Sequence, residues 1–389
     1  MPPIRLNRRR FLGCSAAAGL ALSQGRIGEG AVEGRPVRVG VIGLGTRGTS
    51  LLRTLLEMPG AQVVSVCDAE AKHRLRGQGI VEKATGGRPK GVERVGQVLD
   101  RDDVDAVVVA LPCDLHAEVD RDAIRAGKHL YAEKPLALTV TACDMLIAEA
   151  TKAPGVVVHV GYQRRSNPRY RDGVALIHRG ELGTPIEGTA AWVSSNGPMN
   201  GHGDWLARRA RSGDWMVEQA VHVWDVFHWI AGGPPARAFG LGRRDLFADQ
   251  QPGRDVTDHY SAHLEWADGF HVAFLHSWVA PADDRFTGIT LQVMGTAGGL
   301  DLGSGTVTFR DKSRPRQTLH PGNQADTRLA LSAFLDAVRA GQPVPPPLTL
   351  AEARDATLTG LLVRKAVDER RVVTMDEIRA ESASDAVSG

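Results

Sequence analysis

Cysteine is scarce in this chain. The 389 residues hold four, at positions 14, 67, 113 and 143, and no pair stands at metal-ligand spacing. Cys14 falls in a segment expected to be removed, and the other three all precede residue 150. Neither a metal centre nor a disulfide framework is therefore expected. Charge of one sign is also missing, since 47 Lys and Arg oppose 45 Asp and Glu for a net charge of +2. Both signs are interleaved along the chain, which leaves no electrostatic footprint for nucleic acid. The apolar run after Arg10 is too short to span a bilayer, so no membrane segment is expected in the mature form. What is present, 42% hydrophobic and 24% charged residues, is ordinary for a soluble globular protein. The length exceeds that of one ordinary domain.

The stretch that organises the rest is Val37 to Asp68: VRVGVIGLGTRG, a helical run over 49–58, then AQVVSVCD. A short Val- and Ile-rich run broken by Gly43, Gly45 and Gly48 reads as a buried parallel strand entering a tight turn. Gly43 permits the turn, Gly45 lets the backbone approach a pyrophosphate, and Gly48 lets the next helix pack on the strand. Leu44, Thr46 and Arg47 complete the loop, and the phosphates would lie on the helix N-terminus. Asp68 ends the second strand, twenty residues past Gly48. A carboxylate there accepts hydrogen bonds from the adenosine ribose and repels a 2′-phosphate, so NAD is expected rather than NADP.

The first residues, NRRRFLGCSAAAGLALS, run from basic to weakly apolar, the order of an export signal. Arg8 and Arg9, with Phe11 and Leu12 behind them, resemble a twin-arginine signal. The expectation is an exported, periplasmic protein with a signal and linker over 1–35.

Beyond the first two strands, residues 87–102 read as polar and helical, and 104–111 as a buried strand ending at Leu111 and Pro112. His116 follows just before a helix expected over 117–126. It could cover a cofactor at the carboxyl edge of the sheet, or bond to the first turn of that helix. A strand over 129–132 delivers Glu133, Lys134 and Pro135 to the same edge, and an X-Pro bond there can be cis. A helix over 142–152 and a strand over 156–161 precede YQRRSNPRY.

In order, GLGTRG, the Pro112 to His116 spacing, AGKH with EKP, and GYQRRSNPRY resemble the Gfo/Idh/MocA oxidoreductases. The resemblance covers nearly everything after residue 36. It implies a lysine, Lys134, that contacts both nicotinamide and a substrate hydroxyl. It places Gln163 beside the nicotinamide ribose and makes Arg164 or Arg165 the arginine that follows, with Arg165 the preferred cofactor ligand.

The fold class expected is α/β: a Rossmann domain with a doubly wound parallel sheet over 36–161, followed by an α+β domain over 162–380. Turn-separated strands at 260–266, 271–277, 289–294 and 306–309 give the second domain an open, mainly antiparallel sheet. The family uses that sheet to form homodimers or homotetramers. Within 196–229 a helix from Trp215 onward is apolar on most sides, yet Glu218, His222 and Asp225 recur at i, i+4 and i+7 on one face. Charge on a buried face must meet a partner or a cavity. The resemblance sets Glu218 in the place of the family's aspartate and His222 in that of its histidine, which works on the substrate hydroxyl. Five of seven tryptophans fall in or next to this stretch, and Trp205, His202 and Arg211 are candidates for binding a sugar ring. The tail from Glu381, 381–389, is small and polar and reads as disordered.

The leading expectation is an NAD-dependent oxidoreductase acting on a sugar, polyol or glycoside hydroxyl. His222 would take the proton and Lys134 would polarise the oxygen, its pKa lowered by burial or nearby positive charge. One alternative is a glycosidase that uses tightly bound NAD transiently, through oxidation, elimination and reduction. Another is a non-catalytic NAD-bound sugar-binding protein.

Overall fold

The computed structural model describes residues 34–199, 201–322, 325–341 and 347–388, the last seven of these by backbone alone. The expected signal therefore lies, but for two residues, outside the described residues. Six parallel strands form the first sheet: β1 (Val37–Ile42), β2 (Ala61–Cys67), β3 (Lys90–Val92), β4 (Ala106–Val109), β5 (His129–Ala132) and β6 (Val158–Val160), in the order β3-β2-β1-β4-β5-β6. The chain reverses direction across the sheet between β1 and β4, and the carboxyl ends there open into the crevice where such folds bind ligands. β1 and β4 carry almost nothing but buried Val, Ile and Ala, as a sheet covered on both faces requires.

Three local expectations are corrected. Residues 87–102 hold the short strand β3 and a single helical turn, Gly96–Leu99, while the long helix lies earlier, at Ala71–Thr85. Gly77 and Gly79 dilute its helical signal, but Gly77 packs against Leu44, where a Cβ would stand 2.7 Å from Cδ1. The helix after β4 starts at Cys113, directly behind Pro112, so His116 sits inside its first turn. The tail from Glu381 continues the backbone of the helix Met375–Ser388; Ala, Glu and Met sustain that helix where small polar residues suggested none.

The second sheet has nine strands: β7 (Pro185–Val193), β8 (Arg237–Arg243), β9 (His259–Glu265), β10 (His271–Ser277), β11 (Gly288–Gly295), β12 (Gly298–Asp301), β13 (Thr306–Phe309), β14 (Gln317–Thr318) and β15 (Val373–Thr374). Their order is β14-β13-β12-β11-β7-β10-β9-β8-β15, and among these pairings only β7 with β10 is parallel. Helices Val221–Ala231 and Leu350–Glu369 cover one face. They lie close because the sheet is small there: a Cβ on Gly188 would meet Phe227 at 2.3 Å, and one on Gly240 would meet Val367 at 2.7 Å. The other face stays open, with Phe239, Leu241, Leu275 and Met294 exposed on it. No helix among the described residues is long and apolar enough to cross a membrane.

Candidate active site

The two domains face each other across a cleft of about 1660 Å³. Its floor begins at the Gly-rich turn. Gly43 has φ +85°, and a Cβ on it would stand 2.2 Å from the Ala110 carbonyl oxygen; one on Gly48 would stand 1.9 Å from the Gly43 oxygen. Only glycine fits either place. Gly45 differs, because a Cβ there would meet nothing within 4 Å. It is the N-cap of helix Thr46–Leu56, it offers no side-chain cap, and no acidic residue stands in the first turn. Open space over uncapped N–H groups suits a pyrophosphate, so this turn fits the dinucleotide that the sequence calls for.

Asp68 closes that end. Its Oδ2 accepts the Leu44 N–H at 2.7 Å and its Oδ1 accepts the Glu70 N–H at 2.9 Å. Each oxygen keeps a second lone pair for a ribose hydroxyl. His73 Nδ1 lies 3.4 Å from Oδ2.

At the other end, β5 hands on to Glu133 and Lys134, and the Lys134–Pro135 peptide bond is cis. Lys134 Nζ donates to both the Glu218 carbonyl and Glu218 Oε1, each at 2.6 Å. The helix expected from Trp215 onward is two helices, Trp215–Glu218 and Val221–Ala231. The break turns the Glu218 carbonyl out of the helical ladder and toward the lysine. Burial, the largest single influence, would push the Lys134 ammonium down, but the adjoining Glu218 carboxylate, with Cys113 and Glu133 behind it, holds the group above its ordinary value. This corrects the expectation of a lowered lysine pKa: Lys134 stays a cation, a donor and not a base.

His222 stands one turn beyond the break. Its ring lies edge-on to Tyr162 at 5.9 Å and nearly parallel to Trp192 at 6.4 Å. Its ring nitrogens make no hydrogen bond to any described residue. Burial, then the positive charges of Lys134, Arg164 and Arg47, drive it well below the usual histidine range, so it is neutral. Glu133 accepts from Arg47 Nε at 2.8 Å and from Gln163 Nε2 at 3.1 Å, while Arg47 Nη1 reaches Thr327 at 3.1 Å.

The cleft thus gathers most of the residues singled out from sequence: the turn at Gly43, Gly45, Thr46 and Arg47, then Asp68, Leu111, Pro112, Glu133, Lys134, Gln163, Trp205, Arg211, Glu218 and His222. Leu44, its side chain buried and its N–H given to Asp68, and Gly48, packed against the Gly43 carbonyl, lie behind that lining. Three residues are placed otherwise. His116 is buried outside the cleft, its Nε2 accepting the Leu111 N–H at 3.2 Å and its Nδ1 facing Asp120 at 3.2 Å; it pins the helix start. Arg165 turns inward to Asp225, at 2.7 Å, and Glu352, at 3.2 Å, and its neighbour Arg164 lines the cleft instead. His202 does reach the cleft, but at the Asp68 end, beside Glu70 at 3.5 Å and His73 at 5.6 Å between rings. Arg211 on the wall is tied to Asp114 at 3.1 Å.

Sequence reasoning named Trp192 only as one of the clustered tryptophans and missed Asp326 and Thr327. The last two open the helix Asp326–Ala340, more than a hundred residues from the other site residues, and only the start of that helix could have drawn notice to them. No group of three or more metal-ligating side chains occurs among the described residues.

Comparison with known proteins agrees with this geometry. Residues 37–162 match a family model described as "Oxidoreductase family, NAD-binding Rossmann fold", and residues 170–301 match one described as "GFO/IDH/MocA C-terminal domain". The two together span more than half of the chain. Inositol 2-dehydrogenase 3 of Saccharopolyspora erythraea is 35% identical over 50% of this chain and 53% of its own length. The 1,5-anhydro-D-fructose reductase of Ensifer adhaerens is 29% identical over 85% of this chain and 96% of its own. A structure of levoglucosan dehydrogenase in complex with NADH and L-sorbose shares the fold, with a TM-score of 0.73 at 20% identity, covering 88% of this chain and 99% of that one.

Proposed function

This chain belongs to the Gfo/Idh/MocA family and is an NAD-dependent oxidoreductase of that type, and from this we propose that it oxidises a ring hydroxyl of a sugar, polyol or glycoside with His222 as the base. The observation that carries the assignment is a neutral imidazole without a hydrogen-bond partner among the described residues, lining the same cleft as a fixed ammonium. Bound NAD supplies the acceptor for the hydride that leaves the carbinol carbon. His222 accepts the hydroxyl proton. The Lys134 ammonium donates to the same oxygen and stabilises the charge that develops there, while Glu218 holds that ammonium in place. Trp192 offers an apolar face to a sugar ring. The test is purified protein with NAD and a panel of inositols, free sugars and glycosides, followed by NADH absorbance. Stoichiometric NADH supports the proposal. Sugar release from a glycoside without NADH would replace it with hydrolysis, and no reaction across the panel would leave a binding protein.

Asp68 holds the adenosine ribose in this reading. Asp68→Ala should weaken NAD binding about tenfold to a hundredfold, because a charge-assisted hydrogen bond contributes roughly 1.5 to 3 kcal/mol. Titration of NADH fluorescence checks it, and an unchanged Kd would refute the role. Export through the twin-arginine route belongs to the same proposal. A protein acting outside the cytoplasm cannot exchange NADH for NAD there, so the cofactor should copurify. Nucleotide released on denaturation, identified by mass, tests this, and an empty protein would count against it.

The open face of the second sheet supports a homodimer or homotetramer. Leu241 on β8 and Leu275 on β10 flank Ser261 of β9 in register, and both are exposed. Two glutamates there would put charge into an apolar contact. Leu241→Glu with Leu275→Glu should therefore reduce the molecular mass seen by light scattering to that of one chain. An oligomer that survives the double change would remove this face from the interface.

A further inference from the structure

Gln219 occupies the break between helices Trp215–Glu218 and Val221–Ala231. In an unbroken helix the Glu218 carbonyl would accept the His222 N–H. Here the His222 N–H goes to the Gln219 carbonyl at 3.3 Å, and the Glu218 carbonyl is left for Lys134 at 2.6 Å. The break therefore sets the seat of the lysine and the starting angle of the His222 helix. One side-chain bond ties it to the sheet: Gln219 Oε1 lies 2.7 Å from Nε2 of His276 on β10. An amide oxygen only accepts, so Nε2 carries the proton.

His276 is otherwise an odd choice for its place. It is fully buried, parallel to the Trp215 ring at 6.0 Å and edge-on to Trp278 at 5.7 Å. Its Nδ1 pairs with no described residue, and burial pushes the imidazole down to about 3. A leucine or phenylalanine would sit among these aromatic rings without leaving a buried acceptor unpaired, a cost that a histidine carries. The one thing histidine adds is the Nε2–H aimed at Gln219.

We propose that His276 is a positioning residue which, through its Nε2–H bond to Gln219, holds the helix break that presents the Glu218 carbonyl and carboxylate to Lys134. It touches neither substrate nor cofactor, and its effect on turnover rests on the roles given above to Lys134 and His222. His276→Leu removes the donor, whereas His276→Gln puts an amide N–H close to where Nε2 stands. In His276→Leu, kcat should fall about tenfold to a hundredfold, as for a small misplacement of reacting groups, with the NAD Kd unchanged and the loss falling on kcat and not KM. His276→Gln should recover most of it.

A second readout needs no turnover. The Lys134 ammonium, followed by NMR in lysine-labelled protein, should titrate lower in His276→Leu, as it loses Glu218, but not in His276→Gln. If the leucine variant does not fold, Gln219→Met removes the same bond from its other partner and carries the test. Unchanged kcat and unchanged Lys134 titration in a folded variant would overturn the proposal, as would equal impairment by Leu and Gln. Were the wild type to turn over no polyol, the Lys134 titration alone would still decide it.

Discussion

Replacing His222 by alanine is expected to lower the rate of hydroxyl oxidation about a hundredfold to ten-thousandfold, the range for losing a general base, and to leave NAD affinity nearly unchanged. The asymmetry follows from position. His222 stands on the second domain against Trp192 and Tyr162, whereas the Gly-rich turn and Asp68, proposed above to hold the dinucleotide, lie on the first domain. The pH profile carries a second expectation. A base must be neutral to accept a proton, and burial together with Lys134, Arg164 and Arg47 depresses the His222 pKa well below its ordinary value. Protonation is thereby postponed, so the acidic limb of kcat/KM should lie below about pH 6.5, the unperturbed histidine value. In His222→Ala that limb should disappear. A variant that turns over at close to the wild-type rate, or one that keeps the limb, would show that another group takes the proton.

How much of this could be read beforehand depends on what each feature rests on. The Gly-rich turn and Asp68 were legible because their constraint is local: a backbone that admits no Cβ at Gly43 or Gly48 leaves its mark within a dozen residues. Lys134 was legible for the same reason, at the end of a short buried strand. The second sheet was read only in part. β8, with the sequence RAFGLGR, carries glycines on its inward face because Val367 of the Leu350–Glu369 helix packs there, and glycine erases the alternation by which a strand is recognised. The break at Gln219 was hidden by an apolar pattern that keeps helical spacing on both sides of it. The side chain that bonds to Gln219 at the break is His276, 57 residues on. His202 was assigned to the substrate by its place in a Trp- and Arg-rich stretch, yet its loop folds toward β2, a matter of domain packing that spacing does not encode. Asp326 and Thr327 enter the cleft through the same kind of long-range closure.

The choice between Arg164 and Arg165 is the sharpest of these cases, and it leads to the largest expected loss of stability. Adjacent residues in the turn Gln163–Ser166 must point apart, so one arginine faces the cleft and the other the interior. Arg165 is the inner one: its guanidinium meets Asp225 at 2.7 Å and Glu352 at 3.2 Å and lies 4.7 Å from the Trp229 ring centre. It joins the turn to helices Val221–Ala231 and Leu350–Glu369. Arg165→Met would keep much of the packing on Trp229 but strand Asp225, whose side chain is 1% exposed. Breaking a buried pair by removing one partner costs about 3 to 5 kcal/mol, so the urea midpoint should drop steeply at neutral pH. Removing the orphaned charge as well, in Arg165→Met with Asp225→Leu, should restore much of the loss, since an apolar pair in place of a buried ion pair is close to neutral. Two urea titrations and an NADH titration of the folded variant separate the alternatives. A normal midpoint with weakened NADH binding would return Arg165 to the cofactor, whereas a lowered midpoint rescued by the double change fixes it as the strut behind the His222 helix.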